Sequence, residues 1–245
     1  MDNTLYVGLS RQMTLRHELD IVANNIANAD TAGFKVESLM LATQPQAPAV
    51  TLDGPKPVKF VMDTGVARDF SQGSLHRTSN ELDMGIDGPG FFQVTTADGP
   101  RFTRDGRFRL DSTGKLTTQA GQPVLDDGGG EIVIDPEKGP VVIASDGTIS
   151  QGQERVGKVG VVKFTAQSAL EKTGDNLLKN SSNQTPQPAP DSLVRQGMLE
   201  SSNVNPVAEI TRMIEVTRTY ESVTNMMSAT ADLSRNSVQR LGRVQ

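Results

Sequence analysis

NPVAEITRMIEVTRTYESVTNMMSATADLSRNSVQRLG, residues 205–242, holds no Gly or Pro between Pro206 and Gly242. Both residues are costly inside a helix, so the stretch reads as one uninterrupted helix. Asn205 caps it, Pro206 suits the first helical position and Gly242 closes it. That is about 35 residues, or roughly 52 Å. A heptad register runs through Ile210, Met213, Thr217, Tyr220, Thr224, Met227, Ala231, Ser234, Val238 and Leu241, mostly apolar, which predicts a coiled-coil seam. Ile214, Val223, Met226 and Leu233 lie off that seam, so the helix expects more than one neighbour. Glu209, Arg212, Glu215, Arg218 and Glu221 alternate in sign every three residues and support the exposed remainder.

The opposite end is similar. Residues 1–32 hold a single Gly, Gly8, and no Pro. They predict a helix over residues 4–27, roughly 36 Å long. Its apolar register is Leu5, Gly8, Gln12, Leu15, Leu19, Val22, Ile26 and Ala29. Asn24, Asn25 and Asn28 crowd the last turns, where their amides compete for backbone hydrogen bonds. The helix should end over residues 28–33, with Gly33 at positive φ.

Most of the 23 Gly fall in residues 85–160, and that middle reads as β. Strands are expected at residues 58–62, 91–95, 132–134, 141–143 and 159–164. Asp98-Gly99, Asp105-Gly106 and Asp146-Gly147 are hairpin signals, with Thr113-Gly114 a weaker one. Phe60, Phe70, Phe91, Phe92, Phe102, Phe108 and Phe164 supply a core. Residues 43–57 and 181–192, rich in Pro and polar residues, read as extended loops. The expected class is α+β: long N- and C-terminal helices forming a coiled-coil-like assembly domain, with a central, mainly antiparallel β domain. The expected division is an assembly helix in residues 1–35, an extended or β connecting segment in 36–80, the β domain in 81–180, a linker in 181–201 and a second assembly helix in 202–245.

Composition removes whole classes of function. With 36% hydrophobic and 22% charged residues in 245, the chain is too apolar for general disorder and too polar for a membrane protein. It has no run of roughly 20 apolar residues, so membrane insertion is not expected. The first dozen residues lack the pattern of a cleaved secretory signal. A net charge of −5 without a basic run argues against nucleic acid. Zero Cys excludes disulfides, thiol nucleophiles and Cys-bound zinc. His17 and His76 read as surface or interface residues rather than bases. The carboxylate pairs Asp83/Asp87 and Asp105/Asp111 sit beside turn glycines, where Asp serves its own local hydrogen bonds. The loop from Asp126 to Glu131 lacks alternating oxygen ligands, and Gly85, Gly88 and Gly90 do not open a helix. No catalytic, cofactor-binding or metal-ligating residue is therefore expected.

Three stretches carry a resemblance. IVANNIANADTAGFK (21–35), ELDMGIDGPGFFQV (81–94) with RFTRDGRFRLDSTGKL (101–116), and QGMLESSNVNPVAEITRMIEVTRTYE (196–221) resemble, in order, the signatures of bacterial flagellar rod and hook proteins. The opening MDNTLYVGLS is more similar to the proximal-rod branch than to the distal-rod branch, and the length excludes a full-sized hook protein. The resemblance implies a structural, non-enzymatic subunit of the basal-body rod that carries torque across the periplasm toward the hook. It implies export through the flagellar type III apparatus without a cleaved signal. Implied partners are copies of itself, other rod proteins including the distal rod, and the surrounding rings.

The expected assembly residues are Leu15, Leu19, Val22, Asn24, Asn25, Ile26 and Asn28 on the first helix, and Ile210, Met213, Ile214, Tyr220 and Met227 on the last. Gly33, Gly88, Pro89, Gly90, Ser202, Asn203 and Asn205 are expected to shape turns and junctions. Isolated ends of this kind are marginal, because ordering a residue costs about 1–2 kcal/mol of backbone entropy. They are expected to gain full order only among neighbours. The rival classes are a wall-cleaving hydrolase on the β domain and an adhesin or binding module on a coiled-coil stalk.

Overall fold

The computed structural model describes residues 2–43 and 61–241. Phe60, most of the expected 43–57 loop and Gly242 lie outside the described residues. Helices α1 (Asp2–Ala27) and α2 (Pro206–Leu241) bracket the strands. In chain order these are β1 (Glu37–Thr43), β2 (Val61–Arg68), β3 (Leu75–Arg77), β4 (Met84–Asp87), β5 (Phe91–Thr96), β6 (Gly99–Thr103), β7 (Phe108–Leu110), β8 (Leu116–Thr118) and β9 (Val141–Ile143). There follow β10 (Thr148–Gln151), β11 (Glu154–Lys158), β12 (Val161–Lys163), β13 (Leu170–Gly174), β14 (Leu177–Asn180), β15 (Gln187–Pro188), β16 (Leu193–Gln196) and β17 (Met198–Glu200). The chain divides into two units. One comprises α1, β1, β2 and α2; the other comprises residues 28–36 and 69–204.

In the first unit α1 and α2 run antiparallel. Gln12 Nε2 donates to Thr224 Oγ1 at 2.7 Å, Arg212 pairs with Glu18 at 2.9 Å, and Asn25 Nδ2 donates to Glu209 Oε2 at 3.0 Å. Gly8 permits close approach, since a Cβ there would lie 2.7 Å from Met227 Cγ. The antiparallel ribbon β1–β2, bulged between Met40 and Leu41, also packs on α1. Leu15, Ile21 and Val22 are buried as a result.

This corrects the expectation of a coiled-coil-like assembly domain made by long terminal helices. Ile210 is 47% exposed, Thr217 and Thr224 are exposed, and Val216 is the one buried α2 side chain among those described. The stripe that α2 turns inward includes Glu209, Met213, Val216, Tyr220, Val223 and Met227, displaced from Ile210, Thr217 and Thr224 toward the preceding residues. A heptad seam needs successive apolar knobs set into holes of a partner helix. Here several cross-helix contacts are polar, and the other neighbour of α1 is a β ribbon. The coarser α+β class, with an antiparallel β body, stands.

The second unit carries that body. A six-stranded sheet in the order β13-β14-β6-β5-β12-β15 is joined by the three-stranded β11-β10-β9 and the pairs β16–β4, β17–β3 and β7–β8. All these pairings are antiparallel. Successive side chains of a strand point to opposite faces. In β5, Phe91 therefore enters a cluster with Phe102, Val162, Phe164, Leu170 and Leu178, while Phe92 enters another with Met84, Val94, Phe108, Leu116 and Ile149. Edge-on ring contacts tighten both: Phe102–Phe164 centroids are 4.7 Å apart and Phe92–Phe108 centroids 5.1 Å.

Asp98-Gly99 joins β5 to β6, Thr113-Gly114 joins β7 to β8, and Asp146-Gly147 joins β9 to β10. Asp105-Gly106 does not form a hairpin. Its Asp carboxylate turns to Arg107, and the Gly106 carbonyl accepts from the Met84 amide at 3.0 Å, so tightly that a Cβ at Gly106 would overlap the Met84 carbonyl. Residues 132–134 form no named strand, only an isolated bridge from Val133 to Lys115.

Truncating Phe92 to Ala should cost ~3–5 kcal/mol in urea unfolding. Val142→Ala, at a position 55% exposed, should stay within about 0.5 kcal/mol of the parent.

Candidate functional site

The segment TAGFK (31–35) turns sharply at Gly33, whose φ is +69°. A Cβ there would overlap the Arg104 carbonyl and the Asp105 amide, so only Gly admits this approach. The Gly33 amide donates to the Glu200 carbonyl at 2.8 Å. Lys35 is thereby carried to the Glu200 side chain, and its Nζ lies 2.5 Å from Oε1. Arg104 reaches the other oxygen, with Nη1 3.0 Å from Oε2. The three side chains are 5%, 4% and 0% exposed for Lys35, Arg104 and Glu200.

Further hydrogen bonds complete this cluster. The Gly73 amide donates to Glu200 Oε1 at 2.9 Å, and Lys35 Nζ donates to the Ser71 carbonyl at 2.6 Å. Arg104 Nη2 donates to the Gly88 carbonyl at 2.7 Å, and its guanidinium lies 5.4 Å from the Phe91 ring centroid. Arg104 Nε is buried without a partner. Burial lowers the Lys35 pKa below its ordinary 10.5, against the opposing pull of Glu200, and burial likewise lowers that of Arg104. A buried pair that loses one partner typically costs 3–5 kcal/mol, so this cluster fixes how its segments meet.

The expected junction residues surround it. Asn203 Oδ1 accepts from the Val36 amide at 2.8 Å, and its Nδ2 donates to the Asp69 carbonyl at 2.9 Å. Gly88 and Gly90 hold φ of +114° and +144°, and the Pro89 carbonyl accepts from Ser192 Oγ. Ser202 Oγ accepts from the Val204 amide, and Asn205 Oδ1 caps α2 by accepting from Val207 and Ala208. Lys35, Arg104 and Glu200 themselves were missed by sequence reasoning. Each lies inside one of the three quoted stretches, but nothing local sets it apart from the other charges there.

The expected assembly residues fall into distinct environments. Leu15, Val22 and Asn25 are buried within the first unit; Leu19, Ile26, Met213, Tyr220 and Met227 are half-buried. Asn28, half-buried, accepts from the Thr31 hydroxyl at 3.2 Å, and Asn24 is exposed. Ile210 and Ile214 are 47% and 49% exposed. With Val207 they form an outer apolar strip near the start of α2, and Tyr6, Leu9 and Met13 form one on α1.

The carboxylates considered for catalysis are engaged locally. Asp83 accepts from Thr78 and Asn80, Asp87 pairs with Arg195, Asp105 with Arg107, and Asp111 accepts from Thr113 and Lys115. Asp126 accepts from the Gly128 and Gly130 amides of its own turn. Among the described residues no group of three or more His, Asp or Glu could hold a metal.

The lowered Lys35 pKa has a definite sign. Its stabilising contribution is present above the unfolded value of 10.5 and is lost as pH falls through the folded value. In urea titrations at stepped pH, the parent should therefore gain on Lys35→Met as pH rises from neutral toward 10.5. A flat difference would contradict this.

Three families match successive parts of the chain. "Flagella basal body rod protein" matches residues 5–35, "Flagellar hook protein FlgE/F/G D1 domain" residues 85–151, and "Flagellar basal body rod FlgEFG protein C-terminal" residues 195–240. Lys35, Arg104 and Glu200 fall one in each. The chain is 60% identical over 244 residues to the flagellar basal-body rod protein FlgF of Caulobacter vibrioides, covering 100% of both. It is 36% identical to FlgF of Mesorhizobium japonicum, covering 99% of both. It is 37% identical over 227 residues to FlgG of Buchnera aphidicola, covering 83% of this chain and 86% of that one. The chain belongs to the flagellar basal-body rod protein family and is a structural subunit of the rod.

Proposed function

We propose that the chain builds the proximal part of the rod, joining copies of itself and other rod proteins through its terminal helices, and passes torque toward the hook. The observation that carries this is the pair of outer apolar strips. Tyr6, Leu9 and Met13 follow one another at spacings of three and four, as do Val207, Ile210 and Ile214. Each is one helical face, left largely exposed among the described residues. Distinct strips on one subunit suit head-to-tail contacts that do not close, the geometry of a filament.

Leu15, Leu19, Val22 and Ile26 act with Met213, Tyr220 and Met227 by holding the helix pair together. Burial along α2 is sparse, so much of its order would come from neighbouring subunits. Periplasmic placement, export through the type III apparatus without a cleaved signal, and contacts with the distal rod and surrounding rings belong to the same proposal. The full-length similarity to two FlgF proteins supports the proximal position. The FlgG similarity supports a distal-rod subunit as the second reading.

Met13→Glu and Ile214→Glu should each abolish polymerisation in sedimentation assays and motility in cells. The urea midpoint of the β body should not change. Polymerisation at the parent's level by both variants would remove the outer strips from the mechanism. Mapping a tagged copy along purified basal bodies separates the proximal from the distal position.

A further inference from the structure

Glu200 stands 165 residues from Lys35 and 96 from Arg104, so the cluster is complete only when the C-terminal strand β17 has docked. Until then the closed site would hold two cations with no buried carboxylate between them. Asp69, the other acid acting on Lys35, is exposed. The carbonyls of Ser71, Ile86 and Gly88 accept hydrogen bonds from the two cations but cannot neutralise them. The Gly73 amide would also lose its acceptor.

We propose that Glu200 gates closure of the second unit: its β body becomes a fixed structure only when β17 brings this carboxylate between Lys35 and Arg104. The same step commits distant parts of the body. Arg104 holds the carbonyls of Ile86 and Gly88 at the end of β4, and β17 pairs with β3. A chain lacking its last strand is thus held open by the cost of taking two unneutralised cations out of water, not merely by lost packing. The inference does not depend on where the subunit sits in the rod.

The test is refolding of the full chain from urea with pulsed hydrogen exchange. Amides of β4, β5 and β6 should gain protection at the same rate as those of β17. Glu200→Gln, which keeps the shape and removes the charge, should slow that step roughly tenfold or more. Adding Lys35→Met to Glu200→Gln removes one surplus cation and should recover most of the lost rate. If Glu200→Gln does not fold at all, folding of the double variant supports the gate, and failure of both overturns it. Protection of β4–β6 ahead of β17, a parent-like rate for Glu200→Gln, or a double variant no faster than the single one would each overturn it.

Discussion

A carboxylate taken out of water between two cations costs several kcal/mol to desolvate, and it is kept only where every oxygen is used. Glu200 meets that condition. One oxygen receives Lys35 and the Gly73 amide, the other receives Arg104, and its backbone carbonyl receives the Gly33 amide. Much of the second unit's local geometry answers to this demand. Gly33 lacks a side chain so that two backbones can meet, and Asn203 ties Val36 to Asp69 beside the cluster.

The two units solve the burial problem differently. The β body is self-sufficient: β5 is buried on both faces, and the aromatic clusters on either side share it. The helix-and-ribbon unit keeps large apolar side chains in water, among them Met13, Val207 and Leu233 at 66%, 73% and 68% exposure. Exposed apolar side chains aligned along a helix are the kind of surface that marks an interaction site. Under the proposed assembly they are the part of the fold that other chains would complete.

Much of this was legible in residue order. The distribution of Gly and Pro separated helices from strands, and Asn205-Pro206 marked the start of α2 because cap and first-turn chemistry are local. Asp98-Gly99 and Asp146-Gly147 marked hairpins for the same reason. The turn from β13 to β14 went unread: Asp175 and Asn176, following Gly174, both take positive φ, at 49° and 58°, although neither is Gly. The inward stripe of α2 was misread because the sequence does not say that the other neighbour of α1 is a ribbon. Asp105-Gly106 misled because its glycine serves a close approach to Met84, a tertiary demand that imitates a turn signal. The Lys35–Arg104–Glu200 cluster left the faintest trace, since three charges far apart in sequence become one site only through contacts between distant segments.

Asn25 adds something that apolar packing cannot. It is 1% exposed, donates to the Glu37 carbonyl at 2.8 Å and to Glu209 at 3.0 Å, and accepts from the Glu37 amide at 3.0 Å. Smooth helix surfaces can creep past one another by small increments. A fully used amide cannot, because sliding α1 by one helical turn, about 5.4 Å, against both α2 and the ribbon would break all three bonds at once at a buried position. Axial shear on these two helices and their ribbon should therefore meet a sharp threshold: rigid below it, and parting abruptly above it.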